Sequence, residues 1–166
     1  MPKSTLLAVN LLAILLSTVM LSACKPAKQS EFLMVQLCLG NEDNLAEFMN
    51  MMRSVAQSEH MNYVDGSAET KRNLETIGAR KPGQADPFIN IGIEDKHRSV
   101  LMMGGNLGLP GYQVALGFGE GTEPSEAHAL ADEIVRILNT RWQVLTVPAG
   151  KGALPLKACG NNPSAS

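Results

Sequence analysis

His128 and Asp132 stand four residues apart, with Glu133 beside them. On a helix that spacing puts an imidazole and a carboxylate on one face, where two ligands of a metal ion could meet. A zinc site needs a third and a fourth ligand, and the remaining histidines, His60 and His97, fall in stretches that read as turns. A solvated helix face is therefore the expectation here. Glu94, Asp95 and His97 form a second group. A carboxylate pair does acid–base work only in a cleft that drives its pKa values apart. Asp95-Lys96-His97-Arg98 reads as a hairpin tip, which is usually wet. The third group, Gly117-Phe118-Gly119-Glu120-Gly121-Thr122, runs from a strand into a helix, the context of a phosphate-binding turn. Its spacing is G-x-G-x-G, no Gly-Lys-Ser/Thr follows, and Glu120 and Glu123 would repel an anion. A tight strand-to-helix turn is the expectation. Met49, Met51 and Met52 carry thioethers suited to soft copper, but Met49 and Met52 lie on an apolar stripe and read as core. No G-x-S-x-G, H-E-x-x-H, Walker or Cys–His signature occurs. We expect no enzyme, no bound metal and no cofactor.

The elements that position these groups follow from apolar spacing. Glu31 to Gly40 reads as a buried strand, with Leu33, Val35, Leu37 and Leu39 on one face and Cys38 on the other. Asn41-Glu42-Asp43-Asn44 supplies caps and negative charge for a helix. Its apolar stripe is Leu45, Phe48, Met49, Met52, Val55 and Ala56, and it ends near His60. A short strand over Met61–Val64 and a short helix over Ala68–Ile77, capped by Ser67, come next. A breaker-rich loop, 79–87, follows. Phe88–Glu94, Ser99–Met103 and Tyr112–Gly119 predict an antiparallel meander. Thr122-Glu123-Pro124-Ser125 starts a second long helix whose apolar face is Ala127, Leu130, Ala131, Ile134, Ile137 and Leu138. Gln143–Val147 is the last strand. This order predicts an α+β fold: one domain, with two long helices packed on one face of a mostly antiparallel sheet.

One loop is harder to absorb into packing. Gly104-Gly105-Asn106-Leu107-Gly108-Leu109-Pro110-Gly111 joins conformational freedom to apolar side chains, and Tyr112 follows. Such a loop is either a contact surface or a cover folded over the core. The sequence-level partner surface is therefore Asn106, Leu107, Leu109 and Tyr112, with Asp95 and His97 of the predicted hairpin tip.

The chain begins with one basic residue, Lys3, followed by an apolar run from Leu6 to Met20 and then Leu21-Ser22-Ala23-Cys24. A basic start, a run of this length and small residues before a cut site make a secretory signal. A spanning helix needs about 20 apolar residues, more than this run supplies. Leu21-Ser22-Ala23-Cys24 resembles the lipobox of bacterial lipoproteins. The resemblance implies cleavage before Cys24 and acylation of Cys24 with chains such as palmitate, which makes Cys24 a membrane anchor. It also implies that Lys25, where an Asp favours inner-membrane retention, directs the protein to the periplasm-facing leaflet of the outer membrane. Residues 1–23 are then the signal, 24–30 the acylated cysteine and a polar tether, 31–160 the folded domain and 161–166 a disordered tail.

With Cys24 claimed by the anchor, Cys38 and Cys159 remain, in a compartment where disulfides persist. One Cys38–Cys159 bridge is expected. The alternative, a catalytic or metal-binding thiol, has no Cys-x-x-Cys pair and no neighbouring histidine. The 166 residues are 45% hydrophobic, enough for a core, so a wholly disordered chain is excluded. A net charge of −2 with 4% aromatics is the wrong sign, with too little stacking surface, for a nucleic-acid binder. The layout is similar to that of small periplasmic immunity lipoproteins. That similarity implies a protein-binding module that blocks a delivered toxin. An accessory lipoprotein of an envelope assembly or secretion complex needs the same anchor and face.

Overall fold

A computed structural model describes residues 31–82, 87–148 and 151–160. The expected signal, the acylated Cys24, the tether and the residue 161–166 tail lie outside these. The chain order is β1 (Glu31–Cys38), α1 (Glu42–Ser58), β2 (Asn62–Asp65), α2 (Ser67–Thr76), β3 (Asn90–Glu94), β4 (Val100–Gly105), β5 (Gln113–Gly119), α3 (Pro124–Leu138), β6 (Leu145–Thr146) and α4 (Lys157–Gly160). The strands form one antiparallel six-stranded sheet in the order β2-β3-β4-β5-β1-β6. The fold is α+β, with a single hydrophobic core between one sheet face and the helices.

Alternation decides which face is buried. Val35 and Leu37 of β1 register with Leu116 and Val114 of β5, and Leu116 with Gly104 of β4. Gly104 and Met102 register in turn with Ile91 and Ile93 of β3. Except for Gly104, these residues are buried side chains of the inner face, and α1 and α3 close over them. α1 contributes Phe48, Met52, Val55 and Ala56; α3 contributes Ala127, Leu130, Ala131, Ile134 and Leu138. Each large side chain so buried contributes about 1.5–3 kcal/mol of transfer free energy. Gly104 is the one inner position without a side chain. A Cβ there would run into Leu116 and crowd Ile91, so the close packing of the neighbours requires glycine. Met49 and Met52 pack in or against this core, as their stripe predicted.

Several boundaries differ from those the sequence suggested, each for a local reason. β4 continues through Gly104 and Gly105, which pair with Ile91 and Asn90 of β3. The two glycines therefore belong to the sheet and not to the loop. Ser67 does not cap α2: its N–H donates to the Asp65 carboxylate (3.0 Å), its hydroxyl is engaged with Asn90, and Gly66 occupies the cap position. α2 is a third helix beside the two long ones, and it buries no residue. β6 keeps only two residues. Before it, Trp142 packs edge-on against Phe48 (6.3 Å between rings), and after it Pro148 lacks the N–H to extend the ladder.

The outer face is built differently. Its residues are Met34, Gln36 and Cys38 of β1, Gln113, Ala115 and Gly117 of β5, Met103 and Gly105 of β4, and Asn90, Gly92 and Glu94 of β3. A C-terminal strap crosses only the β5–β1 side of it. The Gln113 amide reads the strap backbone as a neighbouring strand would, donating to the Leu154 carbonyl (2.7 Å) and accepting from the Leu156 N–H (2.7 Å). Gln36 accepts from the Leu154 N–H (3.1 Å). Cys159 then closes a disulfide to Cys38, with Cα atoms 5.6 Å apart and 121 residues of separation. The bridge fixes the C-terminal segment to the first strand, as the cysteine count predicted.

Candidate functional site

The clusters with chemical potential do not assemble into reactive sites. Asp95 is only 2% exposed, because its side chain turns inward at the hairpin tip instead of standing in water. One carboxylate oxygen accepts from the backbone N–H groups of His97 and Ser99, both at 2.8 Å. The other accepts from the Thr122 hydroxyl at 2.6 Å. Burial raises its pKa, but the Thr122 hydroxyl, the Ser99 and His97 amides and the nearby His97 charge outweigh burial and hold it below the usual carboxylate range. Asp95 thus rivets the β3–β4 hairpin to the turn between β5 and α3. Glu94 points to the opposite sheet face, so the two carboxylates share no cleft.

The glycine turn before α3 is also a packing device. Gly121 has φ +58°, and a Cβ there would drive into the Leu101 side chain. With the Thr122 hydroxyl spent on Asp95 and Glu123 at the helix cap, the turn offers an anion no cradle. On α3, Glu133 pairs with Arg136 (2.7 Å), while the His128 ring lies over Phe32 at 4.0 Å between centroids. Among the described residues no three His, Cys, Asp or Glu side chains could hold a metal ion together. Nor is any described helix long and apolar enough to cross a membrane.

The six residues expected to meet a partner divide. Asn106 is 6% exposed and is a strut: it accepts from the Ile89 N–H (2.9 Å) and donates to the Pro87 carbonyl (2.8 Å). Asp95 is the rivet just described. Both are withdrawn from surface contact, because backbone groups of the hairpin turn and of the segment entering β3 need these side chains as partners. Tyr112 is half-buried against the core, with its carbonyl accepting from the Leu39 N–H. Leu107 is 70% exposed, and Leu109 lines cavities beside it. His97 is exposed, but at the far end of the sheet. β4, which runs between the hairpin tip and the Leu107 loop, has six residues and is therefore about 20 Å long. The tip and the loop are not one patch.

What the sequence did not reveal is the surface linking them. Val64, Ile77, Met103, Leu107 and Leu154 are the exposed large apolar residues among those described. Val64 and Met103 stand on the outer sheet face, Leu107 overhangs its loop end and Leu154 lies on the strap. Between them runs a trough floored by Gly92, Gly105, Ala115 and Gly117. Met34 and Met103 flank Gly117 in register, one strand to either side. A cavity of about 390 Å³ lies over Gly105, Ala115 and Gly117, walled by Met34, Met103, Leu107, Leu109 and Ala153 of the strap. A second, of about 160 Å³, lies over Gly92 between Val64 and Met103. The signal for this surface was a strand-position pattern: Gly92, Gly105 and Gly117 all fall on the outer phase of their alternation. No protein-family model matches the chain, and neither a curated protein nor a solved structure matches it.

Proposed function

We propose that the chain is a lipid-anchored, periplasm-facing protein-binding module of the bacterial envelope, and that it acts as an immunity protein neutralising a toxin. One observation carries the binding role: of the five exposed large apolar side chains among the described residues, four gather on and around a single sheet face that the strap covers only in part. A small domain that leaves one face of a sheet this apolar has a contact surface there. Met34 and Met103 suit it, since thioether side chains adapt to the shape of what they meet. The anchor rests on Leu21-Ser22-Ala23-Cys24, which resembles a lipobox, and on the polar residues 25–30 that would join Cys24 to β1.

Two measurements test this reading. Cells expressing the chain are fed an alkynyl palmitate; labelling that disappears in Cys24→Ala supports the anchor, and labelling that persists or never occurs removes it. A photo-reactive residue is then placed at Met103, at Leu107 and at Ser54 on the helical side. Cross-links to one toxin from Met103 and Leu107, with none from Ser54, support immunity. Cross-links to several components of one envelope complex would replace immunity with an accessory role. Equal cross-linking from all three positions would overturn the binding face.

A further inference from the structure

The trough has a polarity that specifies its occupant. Glu31 is the charged residue lining the larger cavity, and its carboxyl group lies over Gly117. Glu94 is the charged residue lining the smaller one. Both stand at the same end of the sheet, where β1 begins and β3 ends, and neither makes an ion pair among the described residues. No lysine or arginine lines either cavity. The opposite end, toward Leu107 and Leu109, adds no charged residue to either cavity, and Asn90 is its polar side chain. Over Gly92, Gly105 and Ala115 the floor carries nothing larger than a methyl group, so backbone or a flat side chain can approach the sheet closely there, beside Asn90, whose amide donates to the Thr70 hydroxyl (2.8 Å). The strap already shows how the face is used: Leu154–Leu156 lies along it, its backbone bonded by Gln113 and Gln36. Ala153 of that strap is one wall of the open trough.

Resting on the protein-binding reading above, we propose that the trough receives an extended segment of the partner protein that is cationic and apolar by turns. The segment lies beside the strap. An apolar side chain sits over Gly105 and Ala115, beside Met103, Leu107 and Leu109, and Lys or Arg side chains lie against Glu94 and against Glu31, whose carboxyl covers Gly117. The area argues against a second copy of this chain. The open part spans about four strands of roughly 20 Å at 4.8 Å spacing, near 400 Å², half of what a stable dimer buries on each side.

The test uses the full chain in detergent, with methionine methyl groups observed by NMR. Three heptapeptides serve as probes: Lys-Val-Lys-Phe-Lys-Val-Lys and its Glu and Ser counterparts. The proposal expects the Lys peptide alone to move the Met34 and Met103 methyls while leaving the core methyls of Met52 and Met102 in place. Binding should weaken about threefold in Glu31→Gln and in Glu94→Gln, and about tenfold in the double variant. Gly92→Val fills the floor without a backbone clash, since a Cβ there meets only the Met102 carbonyl at 3.6 Å and Val64 at 4.0 Å; it should weaken binding as well. Equal binding of the Glu peptide, shifts elsewhere, no binding, or indifference to both carboxylates would overturn the proposal. Methyl shifts on exchanging Lys25 and Lys28 for serine, with no peptide added, would assign the trough to the chain's own tether and overturn it too. An acidic toxin cross-linked from Met103 would overturn this inference while leaving the binding reading intact.

Discussion

The two faces of the sheet share one set of hydrogen bonds and differ in everything else. On the inner face Val35, Leu37, Leu116 and Phe118 meet two helices and are buried. On the outer face the same strands present Met34, Gln36, Ala115 and Gly117. Strand pairing therefore does not decide which face carries function; the side chains left over after the core is filled do. The inner face needs volume and shape. The outer face needs an absence of volume at three glycines and two amides to hold a strap.

The comparison can be broken experimentally, and the largest effect belongs to the inner face. Phe118→Ala should destabilise the fold by about 3–5 kcal/mol in a denaturant titration, since it empties a fully buried site between β5 and Phe32. A smaller loss would mean that the inner face collapses around the hole. Next comes the strap. Replacing Cys38 and Cys159 together by serine should cost about 2–4 kcal/mol. Amide exchange should quicken at Leu154 and Leu156 before it does in β1 or β5, which would show the strap to be a separable layer. Simultaneous quickening would merge strap and sheet into one unit.

A third test concerns two neighbours that turn to opposite faces. Asp95, riveted on the inner side, has a pKa held below the ordinary carboxylate value. Its contribution to stability is present above the unfolded pKa of about 3.9 and is lost as pH falls below that value toward the lower folded one. Asp95→Asn should weaken the fold at neutral pH and flatten that acid slope. Glu94→Gln should cost less than about 0.5 kcal/mol at neutral pH, as expected for a side chain on the outer face; matched losses from both would deny the distinction. At the small end, Met103→Ala should alter stability by less than about 0.5 kcal/mol, as expected for an exposed side chain outside the core. A larger loss would make the outer face part of the fold.

The inner face was legible in the chain because it obeys short-range rules. Ile89, Ile91 and Ile93 alternate, and Phe48, Met52 and Val55 repeat at helical spacing; both patterns need only one element to be read. The capping Asn41 accepts from the Asn44 N–H at 2.9 Å, again a local bond. The outer face was not legible, because it exists only once β1, β3, β4 and β5 are in register. Gly105 and Gly117 are then neighbours of a common trough, though twelve residues apart in sequence, and they read there as a loop and a turn. Asp95 and Asn106 misled for a related reason. Polar residues at strand ends read as wet, but each is tied to a distant segment: the Thr122 hydroxyl donates to Asp95, while Asn106 accepts from the Ile89 N–H and donates to the Pro87 carbonyl. Burial of that kind is set by a partner that the local sequence does not contain.

The Cys38–Cys159 link also has a mechanical meaning. It joins the last residue of β1 to a position near the end of the chain, so all residues from 39 to 158 lie inside a covalent loop. Tension applied between a point ahead of β1 and a point after Cys159 passes from one sulfur to the other and bypasses that loop. Within the described chain, only β1 ahead of Cys38 and the single residue after Cys159 can be drawn out. Both long helices and strands β2 to β5 would stay slack, while β1 takes the load, with Val35 and Leu37 of the core and Glu31 and Met34 of the trough.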